Sequence, residues 1–265
     1  MYELAGTVTY SKTRWLKYND EPNIAEWQKV TGTTYGAIDG WLADGLFRSE
    51  EEIDNSAWYG NSRPNIGDIK YVDLNGDGVI DWTGDRGIFG KSNRPELTFG
   101  LNVNTSWNGF DLNLQFTGGA LFQVSMLGNY YNGNDDNTVW TRTFKEGGNS
   151  PLFLVENAYS LDNHDGIFPR LTLGNTGHGG HNGLNSSFWW KDGKYVRLKT
   201  ARLGYTLPPS FTRKFGVEIL RFFIEGNNIF TIDGLPEGID PESPGVNNGY
   251  YPQQRNLMGG ITITL

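Results

Sequence analysis

The chain has 265 residues with 36 Gly, 9 Trp, 13 Tyr and 15 Phe, yet only 37% of its residues are hydrophobic. This composition excludes a helical bundle and favours an all-β protein with many turns, or a barrel with a wet interior. The net charge of -8, without any Lys/Arg cluster, excludes nucleic acid as a partner, because phosphate binding needs a basic surface.

Other compositional signals concern covalent links and export. The chain has no Cys, so it has neither disulfides nor a thiolate metal site. No run of apolar residues reaches the length of a transmembrane helix, and residues 1–7 do not match a signal peptide. We therefore expect either a cytosolic protein or a chain whose export signal lies upstream.

Alternation of apolar and polar residues predicts strands near residues 1–17, 96–107, 110–121, 195–207, 219–231 and 257–265. Asn108-Gly109 predicts a type I′ hairpin turn between the second and third strands. The parity of the fourth strand slips near Lys199-Thr200, which predicts a β-bulge there. Phe223 is an exception, because it falls on the polar parity of the fifth strand.

The predicted connections alternate between long (18–95, 122–194 and 232–256) and short (108–109 and 208–217). Tight periplasmic turns and extended external loops are typical of outer-membrane barrels, and about 9–11 tilted residues cross the bilayer. We therefore predict a partial transmembrane antiparallel β-barrel with long extracellular loops. The C-terminus and the aromatic side chains of Trp107, Phe110 and Tyr205 would lie at the periplasmic side. A half-buried sheet in an ordinary β core would show a similar alternation.

Residues 73–81 resemble the first part of a calcium-binding loop. Oxygen donors would come from Asp73, Asn75, Asp77, the Val79 carbonyl and Asp81, around the turn at Gly76. The residue at the twelfth position is Gly84 instead of Glu, and no flanking helices are predicted. We therefore predict that the protein requires no cofactor and that this segment is a tight turn held by Asx hydrogen bonds, with a calcium site as the alternative.

Other polar residues give no catalytic pattern. We expect His164, His178 and His181 to be solvated in loops, since no third ligand accompanies them. The carboxylates of 50–52 and 135–136 are interpreted as solvated charge runs, because glycoside hydrolysis needs two carboxylates at a fixed separation. The sequence contains no nucleophile elbow, phosphate loop or dinucleotide fingerprint, so we predict that the protein is not an enzyme.

Four tryptophans in the long connections have two interpretations. Their flat rings could stack on sugars, or they could be buried in small cores formed by the loops. The four residues are Trp58, Trp140, Trp189 and Trp190.

Taken together, an ordered set of short segments resembles the C-terminal part of the SusC/RagA family of TonB-linked outer-membrane transporters. The segments cover nearly the whole chain: Thr31-Gly32, 45–53, 67–71 running into 73–81, Asp85-Arg86, 95–100, 109–112, 195–199, 203–208, 226–230, 240–242 and Tyr251-Pro252.

This resemblance implies a 22-stranded barrel, plugged by an N-terminal domain, that imports glycans or, in some members, peptides. It implies three kinds of partner: a SusD-like surface lipoprotein that caps the barrel, TonB acting through a part outside this sequence, and the lipid and lipopolysaccharide of the outer membrane. The plug domain, TonB box and signal peptide are not in the sequence, so residues 1–265 would be the last quarter to third of such a barrel. The alternative hypothesis is a soluble calcium-dependent carbohydrate-binding β-sandwich.

Overall fold

The computed structural model describes residues 1–60, 63–127, 152–171, 179–244 and 253–265. In chain order, the strands of these residues are β1 (Tyr2–Tyr10), β2 (Ile38–Trp41), β3 (Ala43–Leu46), β4 (Trp58–Tyr59), β5 (Ile69–Tyr71), β6 (Val79–Ile80), β7 (Arg86–Phe89), β8 (Leu97–Trp107), β9 (Phe110–Ala120), β10 (Gln123–Ser125), β11 (Trp190–Asp192), β12 (Tyr195–Thr206), β13 (Ile219–Asp233) and β14 (Asn256–Thr264). The helices are α1 (Glu50–Asp54), α2 (Leu152–Glu156), α3 (Gly179–Gly183) and α4 (Pro209–Thr212), with 3₁₀ turns at Glu26–Gln28, Ser187–Trp189 and Arg213–Phe215.

Six long strands form one antiparallel sheet in the order β1-β8-β9-β12-β13-β14. This sheet confirms the prediction of an all-β antiparallel barrel wall. The described residues contain no second large sheet facing it, which the alternative β-sandwich would require. The strands β2–β7, β10 and β11 form small two-stranded sheets within the long connections.

The first strand ends at Tyr10, before the predicted end at residue 17. Ser11 still donates its backbone N–H to Glu96, but Trp15 then exchanges backbone hydrogen bonds with its own loop, at Gly32 and Thr33. The ring of Trp15 packs against Tyr35, at a centroid distance of 5.3 Å. The aromatic contact and the loop hydrogen bonds therefore draw this segment away from the sheet.

Two local predictions about the sheet are confirmed. Both residues of the Asn108-Gly109 turn have positive φ, at 47° and 84°, as a type I′ turn requires. The register of β12 shifts between Leu198 and Thr200 against both neighbours. Lys199 is the extra residue opposite β9, whereas on the other side two β13 residues, Asn228 and Ile229, lie opposite Lys199. The apolar side chains before and after the bulge point to the same face of the sheet, because the extra residue compensates for the slip in the alternation.

The two faces of the sheet differ in chemistry. The apolar face stays uncovered, and six of its side chains are between 64% and 89% exposed: Tyr2, Leu4, Val8, Ile224, Ile232 and Leu257. The opposite face carries amides, hydroxyls and ion pairs. An apolar surface of this extent is typical of a contact with lipid or another protein rather than with water.

The hydrophobic core lies in the connections rather than on the sheet. All three long connections contribute to it: Trp41, Leu46, Ile69, Tyr71 and Ile80 from the first, Met126, Leu154, Phe168 and Trp189 from the second, and Ile239 from the third. Burial of these side chains folds the loops into one packed layer at the end of the sheet opposite the short turns. Among the described residues, no helix is long and apolar enough to span a membrane.

Candidate functional site

The polar face of the sheet carries an ion pair that reaches across a whole strand. Arg221 on β13 donates to Asp111 on β9, with an Nε···Oδ1 distance of 2.9 Å, although β12 lies between them. The β12 residue at the crossing is Gly204, where a Cβ would lie 2.4 Å from Arg221 Nη2 and 2.5 Å from Asp111 Oδ1. Because Gly204 has no side chain, the two charged groups can meet over it.

Phe223, the exception to the alternation, lies beside this pair on the polar face. The guanidinium carbons of Arg202 and Arg221 lie 5.2 and 5.3 Å from its ring centroid. Its ring covers Gly260 on β14, where a Cβ would lie 2.5 Å from Phe223 Cζ. The aromatic ring is accommodated on this face by cation–π contacts and by a glycine opposite it.

At the loop end of β12, Arg197 fastens the third long connection to the sheet. Its side chain is only 3% exposed and donates to Asp240 at 2.6 Å, Glu242 at 2.7 Å and Gln253 at 2.7 Å. Lys199, the bulge residue, adds a hydrogen bond to Glu242 at 3.1 Å. A buried guanidinium is stable only when its charge is compensated, and these acceptors compensate it.

Glu242 is the most heavily bonded carboxylate of this cluster. Tyr195 donates its hydroxyl to Oε1 at 3.1 Å, and Arg197, Lys199 and Gln253 donate to Oε2. Burial raises the pKa of this carboxyl, but the hydrogen bond from Lys199 and the charges of Arg197 and Lys199 outweigh burial and lower the pKa below its ordinary value of 4.5. Glu242 is therefore ionised and neutralised by its neighbours.

A cavity of about 510 Å³ lies next to the Glu242 cluster, where the start of β12 and the small β10–β11 sheet meet the first and third connections. Rings, prolines, amides and one carboxylate line it: Asn93, Pro95, Phe122, Gln123, Val124, Ser125, Trp190, Tyr195, Pro241, Glu242 and Pro244. Its size lies within the range of about 300–1,000 Å³ common for small-molecule sites. We refer to this space as the Trp190 cavity.

Glycines fix several side chains of the Trp190 cavity in place. A Cβ at Gly193 would lie 2.4 Å from the Phe122 ring, and one at Gly119 would lie 3.0 Å from the Tyr195 ring. A Cβ at Gly90 would lie 2.3 Å from Gln123 Oε1, which accepts the backbone N–H of Lys91. These side chains rest directly on backbone, so the lining is preorganised.

Trp190 is positioned by both its strand and its indole nitrogen. It begins β11, which pairs with β10 so that Trp190 is opposite Ser125. The indole N–H donates to Asn185 Oδ1 at 2.8 Å, which leaves the ring itself for packing. The next residue, Lys191, lies against the rings of Phe168 and Phe188, and burial there lowers the pKa of its ammonium group.

The predicted calcium loop forms a compact turn held by side-chain oxygens. Asp73 accepts the backbone N–H groups of Gly76 and Gly78, and Asn75 and Asp77 accept those of Asp77 and Val79. Asp81 accepts the N–H groups of Thr83 and Gly84. These are the Asx hydrogen bonds of the alternative interpretation.

No group of three or more His, Cys, Asp or Glu side chains that could hold a metal ion occurs in the part of the chain that the structure describes. The metal site at Asp73, Asn75, Asp77, Val79 and Asp81 therefore stays a prediction. Asp85, which follows the loop, is fully buried and accepts the N–H groups of Leu74 and Asp81, so it joins the two ends of the loop.

The expectation of solvated histidines is wrong for His181. Its side chain is buried in α3, with Nε2 at 2.7 Å from the Ile69 carbonyl, and the Tyr71 hydroxyl donates to its backbone carbonyl. The His181 side chain is buried because the residues it contacts, Ile69 and Tyr71, belong to the loop core. His178 lies outside the described residues.

The structure confirms burial in a loop core for one of the four tryptophans, and sugar stacking stays a prediction. Trp189 is fully buried in the loop core, whereas Trp58 and Trp190 are partly exposed. Trp140 and the carboxylates 135–136 lie outside the described residues. The other carboxylate run, 50–52, forms the first turn of α1 with Ser49 as its N-cap.

Sequence reasoning missed a second buried polar cluster, which joins two of the connections. Asp68 accepts hydrogen bonds from Arg170 Nε at 2.7 Å and Asn182 Nδ2 at 2.8 Å, and Asn182 accepts the N–H of Ile69. The sequence around Asp68 alternates polar and apolar residues and gives no signal of this cluster.

Comparison with known proteins finds relatives among TonB-dependent receptors. No protein-family model matches the chain. It is 30% identical over 249 residues to TonB-dependent receptor P3 of Formosa agariphila, covering 88% of this chain and 22% of that protein. It is 29% identical over 254 residues to TonB-dependent receptor P26 of the same organism, covering 89% of this chain and 23% of the relative. The chain thus spans less than a quarter of the length of either relative.

Solved structures share the fold. The RagAB peptide transporter matches with a TM-score of 0.61 at 17% identity, over 99% of this chain and 27% of the matched chain. The RagAB peptide importer in its open-open state matches with a TM-score of 0.61 at 16% identity, over 100% of this chain and 27% of the matched chain.

Proposed function

Because the chain belongs to the SusC/RagA family of TonB-dependent receptors, we propose that it is the wall and external-loop part of an outer-membrane importer of a Gram-negative bacterium. The cargo is a glycan, or a peptide as in the RagAB peptide transporter. We assign the chain a role in transport and no catalytic step.

The contrast between the two faces of the sheet is the observation that carries this proposal. The apolar face is exposed along its length, as contact with the hydrocarbon of a bilayer requires. The polar face carries the pairs Asp111–Arg221 and Glu225–Arg202, whose charges suit a water-filled lumen. The long connections then face the outside, where they meet the cargo first.

The proposed partners act on different parts of the protein. A SusD-like lipoprotein would cap the packed layer of loops, and TonB would supply energy through a part of the protein outside residues 1–265. Lipid and lipopolysaccharide would contact the apolar face. A single packed layer of loops offers a stable surface for a lid, since all three long connections share one core.

Deletion of the gene tests import directly. The deletion strain should lose growth on oligosaccharides too large for porins and keep growth on the corresponding monosaccharides. A parallel culture on peptides as the nitrogen source distinguishes the two classes of cargo. Unchanged growth of the deletion strain on both classes, with the protein absent from the outer-membrane fraction of the wild type, would refute the proposed function.

A further inference from the structure

The Trp190 cavity has a lining whose chemistry selects its ligand. Its lining is mainly apolar and includes three rings, Phe122, Trp190 and Tyr195, and three prolines. Polar groups are few and neutral, apart from Glu242. Sites of this type bind flat or ring-shaped ligands by their apolar faces, while a few polar groups set the orientation.

The charge of the lining is already compensated. Glu242 is the single charged residue that lines the cavity, and it is bonded to Arg197, Lys199 and Gln253 as well as to Tyr195. A ligand that brought its own ammonium or carboxylate would find no free counter-charge there, and an unpaired charge in a partly enclosed site is costly. The cavity therefore favours a ligand without charge.

Uncharged side chains that line the cavity can still form hydrogen bonds with a ligand. Both Asn93 and Gln123 line the cavity. The Asn93 side chain takes part in no hydrogen bond with the described residues, and Gln123 uses its carbonyl oxygen on Lys91 but its amide N–H groups on no described residue. Ser125 and the Glu242–Tyr195 pair add acceptors. Such groups match hydroxyls, which both donate and accept.

We propose that the Trp190 cavity is a cargo subsite for sugar rings of a neutral oligosaccharide, held by ring stacking on Trp190 and by hydroxyl contacts to Asn93, Gln123 and Glu242. The proposal rests on the import function proposed above and specifies its cargo. Because glycines hold Phe122, Gln123 and Tyr195 in place, the subsite is formed before the ligand arrives, which reduces the ordering cost of binding.

The test measures binding to the whole receptor in detergent, by calorimetry, with probes chosen from an array of neutral oligosaccharides. Size-matched uronate oligosaccharides and a hexapeptide with capped ends serve as the competing classes. We expect the wild type to bind a neutral oligosaccharide and Trp190→Ala to raise its Kd about tenfold, a loss typical of one well-packed aromatic contact. Trp190→Phe should restore part of the affinity, because it restores a ring.

Two further variants distinguish a loss of binding from a loss of folding. Asn93→Ala removes an exposed side chain without disturbing a hydrogen bond and should raise Kd about threefold. Trp82→Ala, which removes a tryptophan that is 59% exposed on the first long connection and does not line the cavity, is the matched control and should leave Kd unchanged.

The outcomes separate this proposal from the import function. If the wild type binds and imports a neutral oligosaccharide while Trp190→Ala and Asn93→Ala bind it with unchanged affinity, the subsite is overturned and the import function stands. If the wild type prefers the uronate or the capped peptide, the sugar assignment is overturned. If it binds no probe on the array, and deletion of its gene alters no uptake, both proposals fail together.

Discussion

Gly40 lies where two of the long connections meet backbone to backbone, so Gly40→Ala should separate them. A Cβ at Gly40 would lie 1.9 Å from the Asn185 carbonyl oxygen and 2.9 Å from its carbon. This oxygen accepts the N–H of Trp41 at 3.0 Å, and Asn185 Nδ2 donates to the Asp39 carbonyl at 2.8 Å. Neither backbone can move aside without breaking these hydrogen bonds.

The size of the effect follows from two terms. Overpacking of a close contact costs about 1–3 kcal/mol, and loss of a buried backbone hydrogen bond costs about 1–3 kcal/mol more. A local loss near about 3 kcal/mol raises the population of the opened loops on the order of 100-fold. The large sheet makes no contact through Gly40, so the hydrogen-exchange protection of its strands should stay unchanged.

Hydrogen exchange of the whole receptor in detergent, resolved by mass spectrometry, measures this opening. Peptides covering 37–47 and 184–190 should exchange on the order of 100 times faster in Gly40→Ala, while peptides covering 97–107 keep the wild-type rate. Gly234→Ala is the matched control, because a Cβ there meets no atom within 4 Å. Wild-type exchange of both loop peptides in Gly40→Ala would refute the view that this contact joins the connections.

Three further predictions concern the sheet, the calcium-type loop and the Glu242 cluster. Gly204→Ala should displace Arg221 from Asp111 and lower the free energy of unfolding by about 0.2–1 kcal/mol, because both charged groups are partly exposed. The barrel should therefore unfold on a semi-native gel at a slightly lower temperature. A variant that fails to form a barrel would contradict this prediction. Calcium should slow proteolysis between residues 71 and 86, and Asp73→Asn should remove the effect, whereas equal cleavage with and without calcium would exclude a calcium site. Because the pKa of Glu242 is lowered from 4.5, its contacts stabilise the third connection above that pH and are lost as the pH falls below it. Exchange of residues 234–244, relative to the intrinsic rate at each pH, should therefore speed up as the pH falls below 4.5 in the wild type but not in Glu242→Gln, and the same profile in both would show that another group titrates.

The sheet could be predicted from the sequence because its signals are local. Alternation assigns each side chain to a face, Asn108-Gly109 specifies a turn, and the slip of parity at Lys199 marks the bulge. The end of β1 was missed because Trp15 leaves the sheet for aromatic neighbours that lie further along the chain.

The cavity and the buried clusters could not be predicted, because their contacts join distant segments. Arg197 meets Asp240 and Glu242, more than 40 residues later, and Asp68 meets Arg170, 102 residues later. Neither pairing leaves a periodic signal in the sequence. The same holds for His181, whose burial depends on how the loops pack and not on its glycine-rich neighbourhood.

The core shared by the three long connections also constrains how the protein assembles. Its members range from Trp41 to Ile239, and only the pairing of the strands brings the ends of these connections close together. A shift of one residue in a strand would turn its side chains to the opposite face and move the attached loop by about 3.3 Å, enough to spoil the packing of the core. The packed loop layer therefore requires the correct strand register, and a protease-resistant loop layer would report that the strands have reached it.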